Sequence, residues 1–341
     1  MSRRQEVFHV GYAEGMAFDA TRLNWDGDGP RPLPWAAWYP AIDGAVEMPA
    51  TTYPWFRGEP VARDVALRPT TVPSKVVLLS HGTGGVTAGL GWLGHRLAQR
   101  GLIALAVNHH GNTGAEPYRA EGFLCLWERA PDLSAIFDDG GWRRKLAGQF
   151  DDRPYVAGFS AGAYAAVLLL GARVQYSQFE DANPTRSPLR GPREFSDLAT
   201  HIPRLMKESP TFRTSWERRS SSFRDSRFKA ALALAPGRSV REFSEASLAE
   251  IDRPIRIIVG DADEAAPPQA CSLWLSDRVS GADLEVLGDG VGHYVFLPEP
   301  TEEGLKAAPD IFTDAASVNR RSIHDHVAAA AIDLVAAAAN P

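Results

Sequence analysis

Gly158-Phe159-Ser160-Ala161-Gly162 places a serine between two glycines, directly after the strand-like run Tyr155-Val156-Ala157 and just before the helix-like run Ala163 to Leu170. A tight strand-to-helix turn of this kind lifts the serine hydroxyl clear of the backbone and sets it beside the positive end of the helix. Crowding at such a turn leaves no room for a side chain at either glycine. A serine hydroxyl is a poor nucleophile at neutral pH. It needs a base within hydrogen-bond reach, and the base needs an acid that fixes its tautomer and stabilises its charge.

Both partners follow downstream. Val259-Gly260-Asp261-Ala262-Asp263-Glu264 puts three acids at one strand end. Asp263, three residues past Gly260, is the chosen acid, with Asp261 second and Glu264 third. Gly290-Val291-Gly292-His293-Tyr294-Val295-Phe296 sets His293 in a glycine-rich loop, the position expected of the base. Acyl transfer also needs two preorganised backbone N–H donors for the developing oxyanion. Ala161, next after the serine, supplies one. The other comes from His81-Gly82-Thr83-Gly84-Gly85, with Thr83 the expected donor.

The remaining histidines are assigned no proton transfer. His81 is expected to be a structural hydrogen bonder, His95 to lie in a helix away from the sheet edge, and His324 and His326 to be structural in a closing helix. Asn108-His109-His110-Gly111-Asn112 has no further acid or histidine at metal spacing, so it is expected to line the pocket and bind no metal. Trp92, Trp127 and Trp142 fall near these loops, yet core packing is the expected role for most of the nine tryptophans.

These residues need a frame to bring them together. Phe8 to Phe18 and Leu33 to Tyr39 read as strands around the turn-rich Asp26-Gly27-Asp28-Gly29-Pro30, and 40–74 reads as a long loop. Lys75 to Ser80, Leu102 to Val107, Ala230 to Ala235, Ile255 to Val259 and Leu284 to Leu287 are apolar runs suited to buried strands of a parallel sheet. Helical patterns at Leu90 to Gln99, Asp132 to Phe137 and Ile323 to Ala339 fall between and after them. Strands alternating with helices imply an α/β fold, a mainly parallel sheet flanked by helices, with the site at the strand C-terminal edge. Residues 175–227 break the alternation. Glu194 to Met206 carries Phe195, Leu198, Ile202 and Leu205 at helical spacing, so this stretch reads as a helical lid insertion within one domain spanning 1–341.

The chain has 341 residues and enough apolar material for one large core. A net charge of -6 argues against nucleic acid or an anionic membrane surface as the main partner. Cys125 and Cys271 support neither a disulfide framework nor a metal site. No apolar segment follows Arg3-Arg4 and no membrane span is evident, so a cytoplasmic location is the default expectation.

With these residues in place, the chain resembles the α/β-hydrolases, in which the chain order is serine, acid, histidine. More narrowly it is similar to the dienelactone-hydrolase-like group related to platelet-activating-factor acetylhydrolase. Trp38-Tyr39-Pro40-Ala41, Ser80 to Gly85, Asn108 to Thr113 and Leu126-Trp127-Glu128-Arg129-Ala130-Pro131-Asp132 carry the likeness. Dienelactone hydrolases have a cysteine where Ser160 stands, and the acetylhydrolases a histidine where Phe159 stands. The resemblance implies ester hydrolysis on a short acyl ester or lactone, a small-molecule substrate, and no metal or cofactor. An amidase, peptidase or acyltransferase would use the same residues, and a non-catalytic binding protein is the third expectation.

Overall fold

The computed structural model describes residues 6–50, 53–180 and 191–339. Nine strands form one sheet in the order β3-β1-β2-β5-β4-β6-β7-β8-β9. They are β1 (Val10–Leu23), β2 (Pro30–Pro40), β3 (Ala62–Arg63), β4 (Val76–Ser80), β5 (Ile103–Val107), β6 (Tyr155–Phe159), β7 (Ala231–Leu234), β8 (Ile255–Gly260) and β9 (Asp283–Leu287). From β5 to β9 every neighbouring pair is parallel, whereas β1 and β2 join as an antiparallel hairpin, and β2 runs antiparallel to β5.

The inner parallel strands β4 to β7 read as apolar runs because both of their faces are covered. Side chains alternate along a strand, so each strand feeds two separate cores. Val76, Leu78, Ile103, Leu105 and Val156 pack with the helices Arg129–Asp138 and Ala161–Leu170 on one face. Val77, Leu79, Ala104, Ala106 and Ala157 pack with the helices Gly91–Ala98 and Arg320–Ala337 on the other. All ten residues of Ala161–Leu170 are buried, which accounts for a helix that is apolar all round.

Three expectations need correction. Leu284 to Leu287 is no buried strand: β9 is the sheet edge, and Val286 is 46% exposed, because no further strand covers that side. The helical pattern from Glu194 starts late. Phe195 precedes a 3-10 turn at Leu198–His201, and the α-helix proper is Ile202–Glu208, with Pro203 in its first turn. A second helix, Pro210–Glu217, follows at once, capped by the Ser209 side chain on the Phe212 amide. The loop between β2 and β4 is not featureless either: besides β3, it contributes Tyr53, Trp55 and Phe56 to a cavity above the sheet. Part of the expected insertion, 181–190, lies outside the described residues. Among the described residues, no helix is long and apolar enough to cross a membrane.

Candidate active site

Ser160 sits where β6 ends and the helix Ala161–Leu170 begins, with φ 54° and ψ -113°. That backbone conformation is strained for a residue with a side chain, and it persists because the surroundings fix it. The turn is closed on both sides. A Cβ on Gly158 would lie 2.1 Å from the Gly162 carbonyl oxygen, and one on Gly162 would lie 1.9 Å from the Ser80 carbonyl oxygen. Only glycine allows the helix to start this close to β4 and β6. The Ser160 amide donates to the Leu234 carbonyl, tying the turn to β7.

His293 Nε2 lies 3.1 Å from Ser160 Oγ, and His293 Nδ1 lies 2.7 Å from Asp263 Oδ2. With Nδ1–H donating to the carboxylate, Nε2 is left to accept a hydrogen bond from the Ser160 hydroxyl. Asp263 is buried, and its Oδ1 accepts the Ala266 amide at 2.6 Å, so both carboxylate oxygens are fixed. Asp261 has a different task. Its Oδ1 accepts the Gly290 and Val291 amides at 3.1 and 3.0 Å, which steadies the loop that presents His293. Glu264 is exposed and offers only its carbonyl, to Arg238. Phe159 packs against the His293 ring, with centroids 4.9 Å apart.

Above these groups lies a cavity of about 730 Å³. Tyr53, Trp55, Phe56, Tyr118, Phe123 and Tyr294 give it an aromatic wall. Ser160, His293, Thr83 and Ala161 all open onto it. The Thr83 and Ala161 amides make no hydrogen bond among the described residues, so both donors are available at the cavity. Gly237 closes one side. Its amide donates to the Ser160 carbonyl at 3.4 Å, and a Cβ there would stand 3.3 Å from Ser160 Oγ.

The loop Asn108 to Asn112 does not line this cavity, contrary to the sequence expectation. Its side chains turn inward to support the loop after β4. Asn108 Oδ1 accepts the Thr87 amide at 2.8 Å, and Asn112 Oδ1 accepts the Gly84 amide at 2.6 Å. His109 Nε2 is 2.8 Å from Ser80 Oγ, and its Nδ1 is 3.0 Å from Asp132 Oδ2. Burial pushes the His109 imidazole down to about 4, so it is neutral. Burial works against the charge of Asp132, yet Arg31 and Arg22 hold its carboxyl well below the usual carboxylate range. Among the described residues, no three histidine, cysteine, aspartate or glutamate side chains gather as a metal cluster would.

Three further buried histidines make hydrogen bonds, whereas His326 in the closing helix is half exposed and meets Glu285. His81 is buried, with Nδ1 2.7 Å from the Gly82 carbonyl and Nε2 accepting the His109 amide. His95 donates to the Pro60 carbonyl. His324 donates to the Val295 carbonyl and stacks on Trp92. Trp92, Trp127 and Trp142 are all buried in the core, and Trp55 is the tryptophan that reaches the cavity.

Sequence reasoning gave no role to Arg129 or Glu242. Both are buried charged residues on helical turns, and a charged residue in a polar stretch normally reads as surface. Arg129 contacts the loop after β4. Glu242 accepts the Tyr164 hydroxyl at 3.0 Å and the Gln178 amide at 2.9 Å, and burial raises its carboxyl to about 8.

The sequence matches no protein-family model and none of the curated proteins. In three dimensions the chain is similar to a ferulic acid esterase from Streptomyces cinnamoneus, with a TM-score of 0.58 and 19% identity, covering 99% of this chain and 90% of that one. The fold is that of the α/β-hydrolases. This fold accounts for the arrangement just described: the strand ends β4, β6 and β8, with the loop after β9, bring the loop His81 to Gly85, Ser160, Asp263 and His293 to one edge of the sheet. A likeness at this identity carries the fold and leaves the chemistry to the side chains.

Proposed function

We propose that the protein is a serine hydrolase that cleaves carboxylic esters through an acyl-enzyme intermediate. The observation that carries this reading is the unbroken hydrogen-bond chain from Ser160 Oγ through His293 to Asp263 at the floor of the cavity. Ser160 Oγ attacks the ester carbonyl carbon while its proton passes to His293 Nε2. Asp263 holds the imidazole and stabilises its positive charge. The Thr83 and Ala161 amides take the oxyanion of the tetrahedral intermediate. Collapse breaks the carbon–oxygen bond to the alcohol, which leaves with the proton from His293. Water then repeats the sequence on the acyl enzyme and regenerates Ser160.

The substrate is a small ester or lactone. The aromatic wall favours an apolar group on at least one side of the ester bond, and the solved neighbour named a ferulic acid esterase is consistent with an aromatic one. Residues 175–227 act as a lid in this reading, since Gln178, Phe179, Arg193, Glu194 and Leu198 line the cavity from that stretch. The narrower relation to the dienelactone-hydrolase-like group rests on the motifs around Ser80, Asn108 and Leu126, and Ser160 in place of a cysteine makes it an oxygen-nucleophile variant of that pattern.

A fluorophosphonate probe and a panel of aryl and alkyl esters test the proposal. The wild type should add one phosphonyl group, on Ser160, and Ser160→Ala should abolish both labelling and turnover. Ester turnover that survives Ser160→Ala defeats the reading.

A further inference from the structure

Arg129 is the first residue of the helix Arg129–Asp138 and is 1% exposed. A buried guanidinium usually faces a carboxylate. This one hydrogen-bonds to none among the described residues. Its Nη1 donates to the His81 carbonyl at 2.5 Å, and its Nη2 donates to the Gly82 carbonyl at 3.2 Å and to Asn112 Oδ1 at 3.1 Å. Its Nε has no hydrogen-bond partner among the described residues. Asp132 is the nearby charge that favours the cation, while burial and Arg31 oppose it. The charge is therefore spent on two consecutive backbone carbonyls.

Those carbonyls belong to the peptide units His81–Gly82 and Gly82–Thr83. In a trans peptide the C=O and the N–H of one unit point in opposite directions. Gripping the Gly82 oxygen from the interior therefore aims the Thr83 N–H the other way, and Thr83 lines the cavity. The same oxygen also lies 2.7 Å from His81 Nδ1 and accepts the Gly85 amide at 3.1 Å, so the unit has little freedom to turn. Asn112 Oδ1 links the guanidinium to the Gly84 amide, which fixes the next residue of the loop as well. A cation on the carbonyl end polarises the peptide and makes its N–H a stronger donor.

We propose that Arg129 is the positioning residue of the oxyanion hole: it locks and polarises the Gly82–Thr83 peptide so that the Thr83 N–H meets the charge that develops on the substrate carbonyl. This rests on the esterase reading. It adds a group that never touches substrate and yet acts only when the oxyanion forms. Its signature is a loss in kcat with KM unchanged, together with weaker binding of compounds that mimic the tetrahedral state.

The test uses Arg129→Met and Arg129→Lys in the full chain, with an aryl ester as substrate and an aryl trifluoromethyl ketone as the tetrahedral mimic. Arg129→Met should lower kcat by about 100-fold, the scale of losing one oxyanion donor, and weaken the ketone by a similar factor. KM should stay within about threefold. Arg129→Lys, which keeps the charge and loses the fork, should recover part of the loss. Far-ultraviolet circular dichroism checks the fold. If Arg129→Met does not fold, Arg129→Lys decides the matter, and about a tenfold loss in its kcat is expected. A folded variant with wild-type kcat and wild-type ketone affinity overturns the proposal, as does a variant whose loss lies wholly in KM. Turnover that ignores Ser160→Ala sinks the esterase reading itself, whereas turnover that needs Ser160 and ignores Arg129 sinks this inference alone.

Discussion

Two Ser–His–Asp chains of hydrogen bonds stand at the ends of adjacent strands, since Ser80 closes β4 and is paired in register with Gly158, two residues before Ser160. In one, Ser160, His293 and Asp263 are linked at 3.1 and 2.7 Å. In the other, Ser80, His109 and Asp132 are linked at 2.8 and 3.0 Å. Distances alone do not tell them apart. Access does: Ser80, His109 and Asp132 are 0%, 1% and 0% exposed, whereas Ser160 faces a cavity. Backbone does as well, because Ser160 is held at positive φ on an elbow and Ser80 ends a regular strand. The aspartates differ too. Asp263 accepts the Ala266 amide and meets no guanidinium among the described residues, while Asp132 is clamped by Arg31 and Arg22. A relay of the right residue types is thus a structural brace in one place and the proposed reaction centre in the other.

The sharpest way to break this contrast is to remove each serine. Ser160→Ala should lower kcat on an aryl ester by at least about 10⁴-fold. Ser80→Ala should cost under about tenfold in kcat, because its hydroxyl meets no substrate. Equal losses in the two variants, read in steady-state kinetics, would erase the distinction.

The aspartates should part in the opposite sense. Asp263→Asn is expected to cost about 10⁴-fold in kcat. Asp132→Asn leaves Arg31 without its charge partner, while Arg22 keeps Asp19 and Glu128, and should cost about 3–5 kcal/mol in stability by urea unfolding. An Asp132→Asn protein of wild-type stability would show that the buried clamp is no brace.

Acid sharpens the comparison further. His109 is held neutral, with its folded value near 4 against an ordinary 6.5. The unfolded chain therefore binds more protons between those values, so stability present above pH 6.5 is lost as the pH falls toward 4. His81 and His324, also pushed down chiefly by burial, add to the same slope. His109→Gln should flatten the urea-derived slope in that window by up to about one proton. An unchanged slope would mean that His109 titrates as freely as a surface histidine.

Glu242 gives an effect of the reverse sign. Its folded value near 8 lies above the ordinary 4.5, so the folded chain binds the extra proton between them. The Glu242 contribution to stability is then fully present below pH 4.5 and declines as the pH rises toward 8. Glu242→Gln keeps acceptor and shape and should remove that decline, measured as the difference in urea midpoints at pH 5 and 8. A decline that persists in the variant would assign it to another group.

The strands that lead to Thr83 and Ser160 were legible because a strand covered on both faces is apolar nearly throughout, as in Val76-Val77-Leu78-Leu79 and Tyr155-Val156-Ala157, and the strand that leads to Asp263 departs from this only at the half-buried Arg256. The candidate site at their ends was legible for the same reason: polar residues right after such runs have few places to go. The loop Asn108 to Asn112 shows where this stops. Its histidines look alike in sequence, and only the packing of the helix Arg129–Asp138 beneath it decides that His109 points inward to Asp132. Arg129 and Glu128 were hidden because their burial depends on partners far along the chain. The Glu128 carboxylate meets Arg22 on β1 and Arg218 beyond the helix Pro210–Glu217. Tyr53, Trp55 and Phe56 have no periodicity at all, and nothing local announces that their loop folds over the sheet edge.

Gly237 has a consequence for selectivity. The backbone there is ordinary, with φ -67°, so a side chain at this position would be tolerated by the chain itself. What it would meet is the proposed nucleophile, since a single methyl would come within 3.3 Å of Ser160 Oγ. That one absent carbon leaves a flank of the tetrahedral centre open to bulk. Filling it would favour one hand of a chiral ester over its mirror image, and this position is therefore a handle on stereochemistry that adds no charge and no proton carrier to the site.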